Sequence, residues 1–151
     1  MSSTCYQGFF LCLFDRAICY QFYAGVILLL QIILIGCAGA LGALARYLLS
    51  HIVTAAAGTK FPYATLLINV TGSLVIGLIF VLTGRHLLST AMQLILATGF
   101  LGGYTTFSTM SWETVQLARG GNMRASITYL GGNVVLGLLA ASLGLAIGWG
   151  V

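Results

Sequence analysis

Four long apolar runs, at residues 26–49, 64–83, 91–118 and 125–150, constrain this 151-residue chain more than any other feature. Each run is long enough to cross a hydrocarbon core of about 30 Å, which takes about 20 helical residues. Only 5% of the residues are charged and the mean hydropathy is +1.06, whereas roughly a quarter are charged in soluble proteins. The sequence therefore predicts an all-α membrane protein with four transmembrane helices and one membrane domain.

Residues 1–25 are aromatic and apolar, but Asp15 and Arg16 lie at their middle. A span through this segment would place both charges in the bilayer, which is costly. We therefore expect residues 1–25 to be an N-terminal extension, either an interfacial helix or the result of a start codon assigned too early. Residues 26–151 are expected to form the four-helix transmembrane domain.

The cysteines and histidines give no sign of a metal or redox site. Cys5, Cys12, Cys19 and Cys37 form no C-x-x-C pair and have no neighbouring histidine. We interpret them as small buried hydrophobic residues. His51 and His86 fall in loops without a carboxylate or cysteine at ligand spacing, so we expect them to be solvated.

The positive charges outside the apolar runs are nearly balanced across a membrane with four crossings. Lys60, Arg119 and Arg124 lie on one side with Arg46 near them, and Arg85 and Arg16 lie on the other. The positive-inside rule then gives only a weak orientation preference. Insertion in both orientations is compatible with this balance.

Polar residues inside the second and fourth runs lie on single helix faces. Asn69 lies about a turn and a half inside the second helix, and Ser73 follows one turn later on the same face. Ser126, Tyr129 and Asn133 form a similar stripe on the fourth helix. An amide in hydrocarbon needs a partner, so Asn69 either makes an interhelical hydrogen bond or serves a function that requires an amide there.

Small residues recur on the first and fourth helices at a spacing that favours close helix packing. Gly36, Gly39 and Gly42 lie on one side of the first helix, and Gly144 and Gly148 form a GxxxG pair on the fourth. Such faces let two backbones approach closely in a membrane.

The stretch GFLGGYTTFSTMSWE, residues 99–113, interrupts the third apolar run. Gly102 and Gly103 followed by Thr105 and Thr106 make a poor helical sequence, so we expect this helix to be broken mid-membrane. The opened carbonyl oxygens are tolerated only where protein buries them or a ligand coordinates them. Two interpretations stay open: threonine hydroxyls satisfy a glycine kink, or a cation binds the carbonyls.

Beyond the break, Phe107, Met110 and Ser111 share one helix face. The edge of an aromatic ring carries partial positive charge. A small anion can pass along such edges while amide and hydroxyl donors replace its water, and no fixed cation traps it. This balance of binding and release is what conduction requires.

The stretches GALGALARY, TLLINVTGS and GFLGGYTTFSTMSWE occur in the order and spacing of a known family. Over about residues 30–150 the chain resembles the small bacterial fluoride channels of the Fluc or CrcB family. The resemblance implies an antiparallel, dual-topology homodimer in the bacterial plasma (inner) membrane that exports fluoride passively. It also implies a structural sodium ion at the dimer centre. The partners would be fluoride, the lipid bilayer and a second copy, with no nucleic acid and no enzyme activity.

The resemblance assigns roles to individual residues. The sodium ligands would be the backbone carbonyls of Gly102 and Thr105. Asn69 would be the pore amide and Phe107 the first pore ring, with Ser108 and Thr109 beside the path. The supporting polar residues would be Arg46, Ser73, Glu113, Tyr129 and Asn133.

Two positions depart from the family pattern, and one carried-over residue has a simpler explanation. Met110 stands where many members have the second pore phenylalanine, and a thioether differs from a ring in its electrostatics. Ala64 replaces a glycine that is usual before the second helix. Arg46, which corresponds to the arginine of the family's first helix, is also explained as a charge at a helix end that reaches the interface.

Two other classes of protein compete with a channel. A proton-coupled exporter of the small multidrug resistance type needs a carboxylate inside its first helix, and this first helix has none. A non-transporting membrane assembly subunit is the other alternative. Neither class explains the break in the third helix.

Overall fold

The computed structural model describes the backbone of residues 3–150 and the side chains of residue 21 and residues 23–150. Over residues 3–150 the chain is helical and has no strand. Its elements are α1 (Ser3–Ala57), α2 (Tyr63–Gly84), α3 (Thr90–Gln93), a π-helical segment (Leu94–Leu101), α4 (Gly102–Tyr104), α5 (Phe107–Arg119) and α6 (Met123–Gly150).

Three helices in the described part of the chain are long and apolar enough to cross a membrane. They are the Tyr23–Ala57 part of α1, α2 and α6. The run predicted at 91–118 forms several shorter helical pieces instead, from α3 to α5. The protein is therefore an all-helical, multi-pass membrane protein.

The chain divides into two compact units, one that ends at Leu34 and one that begins at Ile35. In the first unit, the large apolar side chains between Val26 and Leu34 are exposed. The second unit contains the rest of α1 and all the other helices. The predicted boundary after residue 25 and both interpretations of residues 1–25 stay predictions. The predictions for Cys5, Cys12, Cys19, Asp15 and Arg16 concern side chains outside the described part.

Helices α2 and α6 pack closely because glycine leaves their backbones uncovered. A Cβ atom on Gly77 would collide with the carbonyl of Ala141, and one on Gly144 would collide with the carbonyl of Leu74. A Cβ on Gly148 would lie 2.8 Å from the Cβ of Val81. The prediction that Gly144 and Gly148 form a packing face is confirmed.

The second half of α1 packs in the same way against residues 99–103. A Cβ on Gly42 would collide with the carbonyl of Phe100, and one on Gly103 would collide with that of Gly39. The predicted packing face is therefore confirmed for Gly39 and Gly42, whereas Gly36 has nothing within 4 Å. Cys37 is exposed, so its predicted burial is wrong.

The last turns of α2 and α6 are joined by Arg85. Its Nη1 atom donates to the carbonyl oxygen of Gly148 at 3.0 Å and to that of Trp149 at 3.5 Å. The final carbonyls of a helix have no partner within the helix, and a cation there also complements the helix dipole. Arg85 thus caps α6 and fixes the register of the two helices.

Candidate functional site

The helical path from α3 to α5 is interrupted at Thr105 and Thr106. Thr105 has φ −75° and ψ 159°, and Thr106 has φ −150° and ψ 116°, so both are extended. Gly102 and Gly103 belong to α4, so the predicted opening does not include the glycines and is limited to the threonines that follow them. Gly103 is needed for close packing, since a Cβ there would collide with the carbonyl of Gly39. β-Branched threonine adopts the extended conformation readily.

Thr106 begins α5 as its N-cap. Its Oγ1 atom accepts a hydrogen bond from the N–H of Thr109 at 3.2 Å and donates to the Oγ1 of Thr109 at 2.9 Å. A threonine at this position satisfies one of the donors that a helix start leaves unpaired. The side chains that interrupt the helix therefore also restart it.

The interruption redirects two backbone donors. In a continuous α-helix the N–H of Thr106 would donate to the carbonyl of Gly102, and the N–H of Thr109 to that of Thr105. Here the first donates to Oδ1 of Asn69 at 3.0 Å, and the second to the Thr106 side chain. The carbonyls of Gly102 and Thr105 are thereby separated from these helical donors.

Asn69 on α2 holds the interruption through its side-chain amide. Besides accepting from the Thr106 N–H, it donates from Nδ2 to the Thr106 carbonyl at 3.3 Å. The same Nδ2 donates to Oδ1 of Asn133 on α6 at 3.0 Å. The amide thus pairs with the N–H and the carbonyl of Thr106, as a neighbouring strand would. It also bonds α2 to α6. Of the two interpretations of Asn69, the interhelical hydrogen bond is confirmed, and a function for the amide stays a prediction.

A polar chain continues from Asn69 along α6 to Glu113 on α5. Nδ2 of Asn133 donates to the carbonyl of Tyr129 at 3.0 Å, and the Tyr129 hydroxyl donates to Oε2 of Glu113 at 2.6 Å. Thr65 on α2 donates to the other oxygen, Oε1, at 3.1 Å. Within the described part of the chain, every buried side-chain nitrogen or oxygen has a hydrogen-bond partner.

The predicted stripe on α6 is confirmed, because Ser126, Tyr129 and Asn133 are all buried. Tyr129 is fully covered, and Ser126 donates to the carbonyl of Thr114 at 2.8 Å. These residues tie α6 to α2 and α5. The stripe is therefore an interhelical polar contact and not a lipid-facing surface.

An open cleft of about 310 Å³ lies beside the interruption, and we call it the threonine cleft. Its lining includes an amide, hydroxyls, an aromatic ring and a thioether but no charged side chain. The lining residues are Asn69, Gly72, Ser73, Ile76, Ala97, Leu101, Gly102, Thr105, Thr106, Phe107 and Met110. Neutral donors and an aromatic edge suit a small anion that must be bound and released.

A second cavity of about 300 Å³ lies between the end of α1, the start of α2 and α5, and we call it the glutamate cavity. Glu113 and Lys60 are the charged residues in its lining. The loop that carries Lys60 lines this cavity together with Gln116 and Leu117 from the last turns of α5. The polar chain joins the two cavities, since Asn69 lines one and Glu113 lines the other.

The residues after the interruption differ in exposure. Phe107 is 78% exposed and Met110 is only 7% exposed, yet both line the threonine cleft. Ser108 is exposed, and its Oγ atom lies 3.4 Å from Oγ1 of Thr106. Thr109 is half-buried and its hydroxyl is bonded within the α5 cap. The structure therefore brings Phe107 and Met110 to one cleft and places the hydroxyls of Ser108 and Thr109 near the cap.

Two predicted supporting residues lie outside the polar chain. Ser73 is half-buried and lines the threonine cleft. Arg46 is half-buried in α1, and within the described residues no hydrogen bond or ion pair joins it to the other candidate residues. No cluster of three or more His, Cys, Asp or Glu side chains occurs in the described part of the chain.

Two contributors were not identified from the sequence as site residues. Thr65 lies four residues before Asn69, on the same face of α2, so the spacing could have revealed it. Thr106 holds the cap through its side chain and pairs with Asn69 through its backbone. Its cap role was visible in the pattern of two hydroxyl residues three apart at a helix start, Thr106 and Thr109.

Comparison with known proteins identifies the family of this chain. A family model described as "CrcB-like protein, Camphor Resistance (CrcB)" matches residues 33–145. A protein of Acidobacterium capsulatum named "Fluoride-specific ion channel FluC" is 47% identical over 73% of this chain and 89% of its own length. A Listeria monocytogenes protein named "Fluoride-specific ion channel FluC 1" is 44% identical over 80% of this chain and 99% of its own. A Thermus thermophilus "Fluoride-specific ion channel FluC" is 43% identical over 77% and 93%. The chain therefore belongs to the CrcB-like protein family.

Proposed function

We propose that this protein is a fluoride-selective ion channel, not an enzyme, and that it lets fluoride leave the cytoplasm down its electrochemical gradient. Relatives that are 43–47% identical over most of the chain are named fluoride-specific ion channels. The observation that carries the proposal is the threonine cleft, where Asn69 holds an interrupted helix beside an exposed Phe107. Such a channel in the bacterial inner membrane would protect the cell from fluoride.

The chemistry of the threonine cleft fits an anion that crosses without being trapped. The Asn69 amide and the nearby threonine hydroxyls are neutral polar groups, and the edge of the Phe107 ring is weakly positive. A conducting site must bind its ion well enough to admit it and weakly enough to release it. A cationic side chain in the cleft would hold the anion back, and the lining of the cleft contains no charged side chain.

The path would continue from the threonine cleft along the polar chain. Tyr129 and Asn133 link Asn69 to Glu113 in the glutamate cavity. Lys60 in the lining of that cavity would attract anions, against the charge of Glu113 in the same lining. The two cavities would be successive parts of one route, with the polar chain between them.

The working protein would be an antiparallel homodimer in which the segment from α3 to α5 is the fourth membrane crossing, broken at mid-depth. Four crossings leave the weak charge asymmetry that insertion in both orientations requires. Phe107 is 78% exposed in one copy, and a second copy would complete the wall of the cleft. The interrupted backbone would then be buried in protein, as a membrane demands.

A structural sodium ion would sit at the dimer centre, held by the carbonyls of Gly102 and Thr105. These oxygens fit a hard cation, because the backbone donors that would pair with them in a continuous helix bond to Asn69 and Thr106 instead. Hard cations prefer oxygen ligands. The ion would supply positive charge that fixes the interrupted backbone of both copies.

Met110 would fill the position that a second ring occupies in many family members. It is nearly buried at 7% exposure and lines the cleft with Phe107. A thioether is flexible and polarizable, so it fills space next to an aromatic ring. The anion would therefore rely on one ring edge per copy and on the donors around Asn69.

The proposal is tested by efflux from liposomes that contain the purified protein, measured with a fluoride electrode. Fluoride is expected to leave without an added energy source, and chloride is expected to stay inside. Phe107→Ile should lower the flux at least about tenfold, which corresponds to about 1.4 kcal/mol of lost interaction. Phe80→Ile is the matched control, because Phe80 is 67% exposed and does not line the cleft. Vesicles that release no more fluoride than protein-free vesicles would disprove the proposal.

The same assay separates the two alternative classes. A proton-coupled exporter of the small multidrug resistance type would move an organic cation only when a proton gradient is imposed. Its first helix would need a carboxylate, and α1 contains none between residues 26 and 57. A membrane assembly subunit would release neither fluoride nor an organic cation.

A further inference from the structure

We infer that Asn133 controls the anion site by occupying a hydrogen of the Asn69 amide, and that an entering anion displaces Asn133 and not Thr106. The inference rests on the proposed function and deepens it by assigning a positioning residue. A primary amide has two N–H donors. Both are used here, one by the Thr106 carbonyl and the other by Oδ1 of Asn133.

The orientation of the Asn69 amide is fixed by Thr106. The N–H of Thr106 can only donate, so the oxygen of the amide, Oδ1, must face it, and that bond is 3.0 Å. Nδ2 then points to two acceptors, and no N–H hydrogen of the amide is left for an ion in the threonine cleft. An anion can bind Asn69 through a hydrogen bond only after one of these acceptors has left.

The two acceptors differ in how easily they can leave. The Thr106 carbonyl belongs to the interrupted backbone. Asn69 bonds both to this carbonyl and to the N–H of the same residue. This carbonyl cannot move away by itself, because Thr106 is the N-cap of α5 and its backbone begins that helix. Asn133 presents its oxygen on a side chain, which can rotate about its own bonds.

Asn133 is also restrained, which makes it a selective barrier. Its Nδ2 donates to the Tyr129 carbonyl at 3.0 Å, and the residue is 5% exposed. An anion that enters must therefore exchange one hydrogen bond for another. A strong hydrogen-bond acceptor such as fluoride gains from this exchange, whereas a large, weak acceptor does not.

The first test changes the acceptor while keeping its size. Leucine has a similar shape to asparagine but cannot accept a hydrogen bond. In Asn133→Leu one N–H hydrogen of the Asn69 amide is therefore free. The fluoride concentration that gives half-maximal flux is expected to fall about fivefold. This factor corresponds to the net free energy of one hydrogen bond. Asn133→Asp keeps an acceptor and is expected to raise it. Asn122→Ser, in the exposed turn before α6, should leave it unchanged.

A double-mutant comparison tests whether Asn133 acts through Asn69. In an Asn69→Ala background, Asn133→Leu should no longer change the half-maximal concentration, because the shared hydrogen bond is absent. An undiminished effect in that background would overturn the inference, as would an unchanged value for Asn133→Leu alone. Wild-type vesicles that pass no fluoride would instead overturn the proposed function.

Nuclear magnetic resonance of the wild-type protein tests the exchange without any variant. The chain has three asparagines, Asn69, Asn122 and Asn133, so selective ¹⁵N labelling gives three side-chain amide signals. Added fluoride should shift the signals of Asn69 and Asn133 and leave that of Asn122 in place, and chloride should shift none. A shift of Asn69 with no change at Asn133, or no shift of either, would overturn the inference.

Discussion

The two halves of the contact between α2 and α6 are held together in different ways. In one half, Gly77 and Gly144 let the backbones touch, and Arg85 bonds only to carbonyls at the end of α6. In the other half, Asn69 and Asn133 are bonded to each other. The close contact in the first half depends on the absence of side chains at the glycines, while the second half depends on side chains that donate and accept hydrogen bonds to each other. The glycine half therefore specifies the packing, and the polar half specifies what the threonine cleft can bind.

The largest expected effect comes from a single methyl group in the glycine half. Gly144→Ala places a Cβ against the carbonyl of Leu74 and 3.0 Å from the backbone nitrogen of Leu78, and neither atom can rotate away. We expect a loss of about 3 kcal/mol or more and little folded protein.

The control for this variant is Gly131→Ala on the same helix, where nothing lies within 4 Å. Thermal unfolding in detergent, followed by circular dichroism, compares the two variants. Equal unfolding temperatures would show that close packing of α2 and α6 does not depend on Gly144.

The next largest effect is expected in the polar half. Asn69→Leu removes the partner of both backbone groups of Thr106 and of the Asn133 oxygen. Fluoride flux should fall at least about tenfold, because the net free energy of one or two hydrogen bonds is lost. The control is Thr83→Val on α2, since the Thr83 hydroxyl bonds only within the helix, to the Ile79 carbonyl. Wild-type flux in Asn69→Leu would remove this residue from the proposed path.

A smaller effect is expected at the other end of the polar chain. Tyr129→Phe removes the 2.6 Å hydrogen bond to Glu113, while Thr65 still donates to that carboxylate. We expect the free energy of unfolding to fall by about 1 kcal/mol, the net contribution of one hydrogen bond. Tyr47→Phe, at an exposed site on α1, serves as the control. Identical denaturation curves for wild type and Tyr129→Phe would mean that this bond adds nothing to stability.

The smallest effect is expected where the proposed ligand is a backbone atom. Thr105→Ser keeps the carbonyl and a hydroxyl that can donate to the Leu101 carbonyl, as Thr105 does at 2.9 Å. Flux should therefore stay within about twofold of wild type. This change is smaller than the one expected from the loss of one hydrogen bond. Replacement of sodium by a large organic cation should lower the flux of both proteins equally. If only the variant lost its response to sodium, the threonine side chain would be the ligand.

Spacing along a helix predicted the residues of the polar half but not their partners. Tyr129 and Asn133 were expected to share one face of α6, and both are buried there. Their bonds to Glu113 and Asn69 join residues 16 and 64 positions apart. Such pairs depend on how three helices pack, which the periodicity of a single helix does not contain.

The interruption shows why local propensity was not sufficient. Glycine and β-branched threonine are weak helix formers, which placed the expected opening at Gly102 to Thr105. Contact with Gly39 of α1 needs a residue without a side chain at Gly103, and this tertiary requirement keeps the glycines helical. The opening is confined to Thr105 and Thr106, where the Asn69 amide pairs with the backbone of Thr106.

The sequence by itself determined that the chain is a helical membrane protein, because apolar runs of this length and so few charges leave no soluble alternative. It also determined which faces are small and which are polar, since both follow from the helix period. Only the tertiary structure decided where the helix opens and which groups meet. Those outcomes depend on backbone atoms that glycine exposes and on the single amide of Asn69, whose three hydrogen bonds join it to Thr106 and to Asn133 of α6.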